Sequence, residues 1–215
     1  MSSSSPASHA LDAAVDPTQS GDVNKERRAA IIATATVGAV GCVAAAAPFV
    51  ASFTPSERAK AAGAPVEFDV SQVPPGEMRT VEWRGKPVWV LHRTPAMIDS
   101  LKVDVDRLAD PQSKRTTYPT PEYVLKDPNM RSIKPEIFIA IGICTHLGCS
   151  PGGPYAPGAV GPLGSDPGFL CPCHGSTFDL AGRVFKNKPA PDNLEVPPHT
   201  YLTDSRVRIG EDKKS

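Results

Sequence analysis

The stretch from Glu136 to Cys149 reads Glu-Ile-Phe-Ile-Ala-Ile-Gly-Ile-Cys-Thr-His-Leu-Gly-Cys. Between Glu136 and the first cysteine lies a short apolar run rich in isoleucine, which is typical of a buried strand. The strand would end one residue before Cys144, so a rigid element delivers that cysteine. A histidine and a second cysteine follow at once. Such clustering indicates a metal site, a disulfide, or both.

A second block of the same residue types, Cys-Pro-Cys-His-Gly-Ser, occupies residues 171–176. Together the blocks offer two thiolates and two imidazoles as potential ligands, plus two further cysteines. A structural zinc site also accepts two sulfurs and two nitrogens, but usually through gaps of two or more residues within each ligand pair. The one-residue gap between Cys144 and His146 fits zinc poorly, and zinc would leave Cys149 and Cys173 unexplained.

The two spacings, C-x-H-x-x-C and C-x-C-H-G-S, resemble those of the Rieske iron-sulfur family, and the resemblance covers roughly residues 66–210. In this family one 2Fe-2S cluster is held by cysteines on one iron and histidines on the other. The resemblance therefore implies four metal ligands, which are Cys144 and Cys171 on one iron and His146 and His174 on the other.

The same resemblance implies a disulfide between Cys149 and Cys173, which would tie together two cluster-binding loops, residues 144–151 and 171–179. A crosslink that closes a loop of about 25 residues stabilises a fold by roughly 3 kcal/mol in the chain-entropy model. Such a bond persists only in an oxidising compartment.

Two residues near the second block are expected to tune the cluster. Neutral imidazoles in place of thiolates raise the reduction potential into a range of about −150 to +300 mV, and hydrogen bonds to the sulfurs set the position within it. Ser176 matches the family serine whose hydroxyl bonds a bridging sulfide. Phe178 stands where many high-potential members carry a tyrosine, so we expect a somewhat lower potential than in those members.

The resemblance also assigns roles at the surface of the site. His174 is the expected hydrogen-bond partner of a quinol, with His146 partly exposed beside it, because an imidazole can carry a proton. Leu147 would be an exposed apolar tip at the docking face. Residues 188–192, which contain Pro189 and Pro191, resemble the proline loop that covers the cluster, and two prolines would keep this lid stiff.

The N-terminal part of the chain has a different composition. Residues 1–23 should lack regular structure, and residues 1–28 end in the pair Arg27-Arg28, which resembles a twin-arginine export signal. The uncharged run 29–55 is long enough for a transmembrane anchor. Because basic residues crowd its N-terminal flank, we expect the N-terminus in the cytoplasm.

Residues 56–65 are expected to form a neck and hinge, followed by a periplasmic Rieske domain at 66–215. Hairpin signals flank Arg84-Gly85, and a buried strand precedes Cys144. Residues 111–134, polar and broken by prolines, are expected to be an irregular surface excursion. The predicted fold is mainly β: a Rieske-type antiparallel β-sandwich with a small cluster-binding subdomain, plus one N-terminal transmembrane α-helix.

Overall composition narrows the function classes. The chain has 215 residues, with 23 basic and 23 acidic side chains and a formal net charge of zero. A nucleic-acid binder needs a clustered basic excess, so we expect no nucleic-acid partner. A Rieske oxygenase subunit would need a further iron site with two histidines and a carboxylate, but only His199 follows His174.

The order of anchor, neck, ligand loops and lid resembles the Rieske subunits of bacterial cytochrome bc complexes. That resemblance implies an oxidoreductase subunit in the bacterial inner membrane that takes an electron and a proton from ubiquinol and reduces a c-type haem. Its expected partners are cytochrome b and a c-type cytochrome in a dimeric complex. The alternatives are the Rieske small subunit of arsenite oxidase and a stand-alone exported Rieske electron carrier.

Overall fold

The computed structural model describes residues 17–54, 56, 63–102 and 105–212. The chain divides into two compact units, residues 1–56 and 57–215. Residues 1–16, and residues 57–62 of the predicted neck, lie outside the described residues.

The first unit contains one long helix, α1, at Pro17–Ser52. Its apolar part, Asn24–Ser52, has 29 residues and a mean hydropathy of 2.0, which makes it a candidate membrane span. At a rise of 1.5 Å per residue it is about 44 Å long, more than the hydrocarbon core requires. Hydroxyl groups inside the span are satisfied locally, since Thr34 and Thr36 each donate to the carbonyl four residues earlier at 2.8 Å.

The helix begins earlier than the predicted anchor and includes residues 17–23, which we expected to lack regular structure. Proline at the first helical position explains this start, because its fixed φ suits a helix and its missing N–H would be unpaired there in any case. The last turn closes with a hydrogen bond from the Phe53 N–H to the Val50 carbonyl at 3.1 Å.

In the second unit, the described residues form nine strands in three antiparallel sheets of three. In chain order the strands are β1 Val66–Asp69, β2 Met78–Trp83, β3 Lys86–His92, β4 Ile137–Ile141, β5 Gly152–Tyr155, β6 Gly168–Leu170, β7 Thr177–Phe178, β8 His199–Tyr201 and β9 Arg206–Ile209. The sheet orders are β1-β9-β8, β2-β3-β4 and β5-β6-β7. The mainly β Rieske fold predicted from the sequence is confirmed.

The sheet β2-β3-β4 lies between two hydrophobic cores. Successive side chains of a strand point to opposite faces, and β4 is buried at every position. Ile139 and Ile141 pack in one core with Val207 and Ile209 of β9, whereas Phe138 packs in a second core. The second core also holds the side chains of Cys144 and Cys171. The isoleucine-rich run is therefore buried on both faces, with the metal-binding candidates at its end.

The third sheet, β5-β6-β7, carries the second ligand block and was not predicted from the sequence. Its strands are short, and glycine allows two of them to approach closely. A Cβ at Gly168 would lie 2.0 Å from the Phe178 carbonyl oxygen. Phe169 and Phe178 pair in register, and β6 ends one residue before Cys171. A strand therefore precedes each ligand block.

The described part of the domain also contains two short α-helices, α2 at Pro95–Asp99 and α3 at Glu122–Lys126. The Thr94 hydroxyl caps α2 by accepting from the Met97 N–H at 3.3 Å. Helix α3 lies in the stretch 111–134, so the prediction of an irregular surface excursion was wrong for this part. Val124 and Arg131 of that stretch are buried, because the excursion covers part of the second core.

Candidate metal centre

The first ligand loop is a compact turn held by its own backbone. The Cys144 N–H donates to the Cys149 carbonyl at 2.8 Å, and the Gly148 N–H donates to the Cys144 carbonyl at 3.0 Å. Gly148 has φ +83°, a left-handed conformation that other residues adopt only with strain. The glycine thus closes the loop and brings Cys149 back beside the start of the turn.

The second ligand loop repeats this geometry. The Cys171 N–H donates to the Ser176 carbonyl at 2.8 Å, and the Gly175 N–H donates to the Cys171 carbonyl at 3.0 Å. Gly175, at φ +74°, occupies the position equivalent to the glycine of the first loop. The two blocks therefore fold alike although their histidines stand at different positions after the first cysteine.

A disulfide joins the two loops. Cys149 and Cys173 are bonded, with their Cα atoms 6.6 Å apart. The predicted disulfide is confirmed. Since its sulfurs are bonded to each other, they offer no thiolate to a metal. This leaves one cysteine in each loop as a potential ligand.

Cys144 and Cys171 are free thiols, and both are buried. Burial raises the pKa of the Cys144 thiol, and a hydrogen bond with the Cys171 side chain raises it further. A metal would replace these protons, because a thiolate is the binding form. The two thiols lie together, although Cys171 directly follows β6 and Cys144 follows the end of β4 by three residues, where the sequence predicted one.

The two imidazoles also lie together. The His146 and His174 ring centroids are 4.7 Å apart, with the ring planes at 86°. His146 is half-buried and His174 is exposed. The buried His146 Nδ1 has no hydrogen-bond partner among the described residues, which is costly for a polar nitrogen unless another group binds it. An orphaned imidazole nitrogen beside two paired thiols fits a centre with two sulfur and two nitrogen ligands.

Ser176 connects the ligand loops to the lid. Its side chain is fully buried, and its Oγ accepts a hydrogen bond from the Ala190 N–H at 2.9 Å. The same hydroxyl hydrogen-bonds the Cys144 side chain and favours its thiolate form. Its bond to a bridging sulfide stays a prediction.

The lid is attached to both loops. In addition to the contact at Ser176, the Thr145 hydroxyl donates to the Asp192 carbonyl at 2.7 Å. Ala190 faces inward, whereas Pro189 and Pro191 are exposed on either side of it. The structure thus places residues 188–192 against the two ligand loops, one tether from each.

Comparisons with known proteins agree with this geometry. A family model described as the Rieske 2Fe-2S domain matches residues 65–198. The chain belongs to the Rieske family. A second model, described as "Ubiquitinol-cytochrome C reductase Fe-S subunit TAT signal", matches residues 17–56, so the predicted twin-arginine signal is confirmed.

Two curated relatives carry the same description. The "Ubiquinol-cytochrome c reductase iron-sulfur subunit" of Allochromatium vinosum is 56% identical over 204 residues, covering 93% of this chain and 95% of the relative. Its counterpart in Bradyrhizobium diazoefficiens is 39% identical over 83% of this chain and 90% of the relative. Among solved structures, a chain from "Hyperthermophilic respiratory Complex III" matches 82% of this chain and 97% of its own length at 27% identity and a TM-score of 0.44.

The remaining predicted site residues of this Rieske chain lie at opposite extremes of burial. Leu147 is 71% exposed at the tip of the first ligand loop, next to His146. Phe178 is fully buried in β7 and belongs to the second core. A phenylalanine has no hydroxyl to donate, so the lower potential stays a prediction, and the structure assigns Phe178 a packing role.

Sequence reasoning missed the buried polar network at the turn that follows the second ligand loop. Asp179, one residue after Phe178, forms a fully buried ion pair with Arg183 at 2.6 Å. The Asp179 carboxylate also accepts from the backbone N–H groups of Ala181 and Arg183. The carboxylate thus fixes the turn that follows the second ligand loop.

Arg131 joins this turn to Leu194, two residues beyond the lid. Its guanidinium donates to the carbonyls of Ala181 and Leu194, each at 2.7 Å. Burial lowers the pKa of Arg131 to about 10, which still leaves it charged at neutral pH. A single sequence has no signal that separates such a buried arginine from the exposed ones around it.

Proposed function

We propose that this chain is the electron-transfer subunit of a quinol:cytochrome c oxidoreductase, which takes an electron from ubiquinol and passes it to a c-type haem. The observation that carries the proposal is the 56% identity, over nearly the whole of both chains, with a ubiquinol-cytochrome c reductase iron-sulfur subunit. The paired thiols and paired imidazoles supply the donor set that this role needs.

Four side chains would hold the cofactor, with Cys144 and Cys171 on one iron and His146 and His174 on the other. When bound, a 2Fe-2S cluster supplies one-electron redox chemistry at a potential above that of all-cysteine clusters. The protein contributes burial of the thiols and one exposed edge at the imidazoles. Water is therefore kept from the sulfur side while a substrate can reach the nitrogen side.

His174 is the proposed quinol contact. Its exposed ring can meet a quinol hydroxyl, and an imidazole nitrogen can accept the proton that the hydroxyl gives up. His146 is the second proton-carrying ring of the pair. It is half-buried, and its ring centroid lies 4.7 Å from that of His174. The exposed Leu147 offers an apolar contact to the partner surface beside the histidines.

We place the chain in the bacterial inner membrane with a cytoplasmic N-terminus and a periplasmic Rieske domain. Three basic residues, Lys25, Arg27 and Arg28, flank the N-terminal end of the candidate span, which favours that end on the cytoplasmic side. The disulfide favours an oxidising compartment for the other unit. The proposed partners are cytochrome b and a c-type cytochrome in a dimeric complex.

The segment 56–65 is the proposed hinge between anchor and domain. If the domain must move between quinol and haem, replacing Ala61 and Ala62 by proline should slow turnover of the complex and leave the cluster spectrum unchanged. Alanine-to-glycine changes at the same positions are the flexible control. Normal turnover of the proline variant would contradict a moving domain.

The quinol role is tested by electron paramagnetic resonance of reduced membranes. We expect a Rieske signal whose shape changes when a quinol-site inhibitor is added, because the inhibitor would meet His174. An unchanged signal would contradict a quinol pocket at this centre.

Purification in detergent separates the alternative functions. Cytochrome b should accompany the chain, whereas a molybdenum subunit would indicate arsenite oxidase. Solubility of the full chain without detergent would favour a stand-alone carrier.

A further inference from the structure

We propose that Cys171, when it holds no iron, attacks the neighbouring disulfide and exchanges the Cys149–Cys173 bond for a Cys149–Cys171 bond. The inference rests on the proposed ligand role of Cys171. It concerns the state of this chain before the cluster binds or after it is lost. In that state the Cys171 sulfur is a free thiol.

The geometry that carries the proposal is the packing of three sulfurs. The Sγ atoms of Cys171, Cys149 and Cys173 all lie within 4.8 Å of one another. Thiol–disulfide exchange requires the attacking sulfur to reach one sulfur of the bond. The attacking sulfur therefore starts within 4.8 Å of its target.

The two disulfide sulfurs are not equivalent as targets. Attack on Cys173 would bond it to Cys171, with only Pro172 between them, and the fixed φ of proline opposes so tight a ring. Attack on Cys149 instead forms a bond between residues 22 positions apart, close to the native separation of 24. Chain entropy therefore barely distinguishes the native bond from the exchanged one.

The exchange needs no outside oxidant or reductant. The Cys171 sulfur forms a bond to the Cys149 sulfur, and the electron pair of the broken bond leaves with the Cys173 sulfur. The proton lost by Cys171 is matched by one gained at Cys173. The chain keeps one disulfide and three thiols throughout, because Cys42 and Cys144 take no part.

The product cannot bind the cluster in the proposed way, because one of its two cysteine ligands is consumed. It also differs in exposure. The native free thiols of the Rieske domain, Cys144 and Cys171, are 1% and 2% exposed, whereas Cys173 is exposed. A bound cluster would block the exchange by engaging Cys171. Loading before the disulfide forms would thus protect the ligand set.

The test compares two variants that each lose one proposed ligand. Both variants lack a complete ligand set. Cys144→Ser keeps the attacking Cys171 thiol, whereas Cys171→Ser removes it. The full chains are purified in detergent with their disulfide formed, freed of metal by chelation, and incubated with a maleimide without added thiol. Fragmentation mass spectrometry then assigns the labelled cysteine and the bonded pair. The fragments must distinguish Cys171 from Cys173, which only Pro172 separates.

We expect Cys173 labelling in metal-free wild type and in Cys144→Ser to exceed that in Cys171→Ser by roughly tenfold or more. A Cys149–Cys171 peptide should accompany it, and cluster-loaded wild type should resemble Cys171→Ser. Equal Cys173 labelling in the two variants, or an intact native bond in metal-free wild type, would overturn the inference. Either result leaves the quinol role standing, because that role is tested by the inhibitor-sensitive signal.

Discussion

The two halves of the Rieske domain are stabilised by different means. The sheets β1-β9-β8 and β2-β3-β4 are joined by apolar side chains that alternate along regular strands. The cluster-binding part has strands of two to four residues and depends on a disulfide, left-handed glycines and buried polar contacts. In this domain the first half presents its apolar side chains on strands, whereas the ligands of the second half stand in loops. The loops therefore require local crosslinks.

The buried ion pair offers the largest expected effect. Arg183→Met leaves the Asp179 carboxylate buried without its partner, which typically costs about 3–5 kcal/mol. Urea unfolding of the isolated variant and wild type measures the loss in the free energy of unfolding. The matched control is Lys102→Met, which breaks an exposed ion pair with Asp99 and should cost less than about 1 kcal/mol. Equal losses in both variants would mean that the buried Arg183–Asp179 pair contributes no more to the free energy of unfolding than an exposed ion pair.

The disulfide comes next. Replacing Cys149 and Cys173 together by alanine should lower the free energy of unfolding by roughly 3 kcal/mol, because the loop between them is 24 residues long. Hydrogen exchange should increase first at residues 144–151 and 171–179, while β3 and β4 remain protected. Uniform loss of protection would show that the two halves unfold as one unit and would contradict the comparison.

The pH dependence of stability tests the half formed by the sheets β1-β9-β8 and β2-β3-β4, which we call the sandwich half. Burial lowers the pKa of His199 in β8 to about 4, below its usual value of about 6.5. The unfolded chain therefore binds the proton first, so stability is full above pH 6.5 and is lost as the pH falls towards 4. Between pH 7 and pH 5 the loss from this group is about 2 kcal/mol. Measuring the free energy of unfolding at both pH values, with His199→Gln as the control, isolates it. An equal loss in the glutamine variant would exclude His199 as the cause.

The lid tether gives the smallest effect. Thr145→Val removes the hydrogen bond to the Asp192 carbonyl, which is worth about 1 kcal/mol, and keeps the side-chain shape. Hydrogen exchange at the Ala190 amide should become about fivefold faster, with β4 unaffected. Thr80→Val, an exposed change in β2, serves as the control. Unchanged exchange at Ala190 would show that its bond to Ser176 alone holds the lid.

The sequence predicted the sandwich half more completely than the cluster-binding half, for a physical reason. The hairpin of β2 and β3 forms across Arg84-Gly85 as predicted, because alternating and branched side chains specify a pleated, half-buried surface. Strands β5 to β7 carry no such pattern, since β5 reads Gly-Gly-Pro-Tyr and β6 and β7 have only three and two residues. Their pairing follows from the tertiary contacts, which a local pattern does not encode.

At the site, the spacing of cysteines and histidines predicted the candidate ligands. It did not predict the polar residues that hold the ligand loops and the lid in place. The cysteines and histidines stand out because these residue types are few and clustered. Thr145, Asp179 and Arg131 act through a hydroxyl, a carboxylate and a guanidinium that are common everywhere on protein surfaces. Only the fold reveals that Asp179 and Arg131 are buried at the turn after the second ligand loop and that Thr145 tethers the lid.

The central claim is that two imidazoles and two thiolates share one cluster, and pulsed electron paramagnetic resonance of the reduced, purified protein tests it most directly. We predict couplings from two histidine nitrogens, together with about two irons per chain, and loss of the native signal in His146→Ser and in His174→Ser. An iron-free protein, a spectrum without nitrogen coupling, or an intact native signal in either histidine variant would contradict the account.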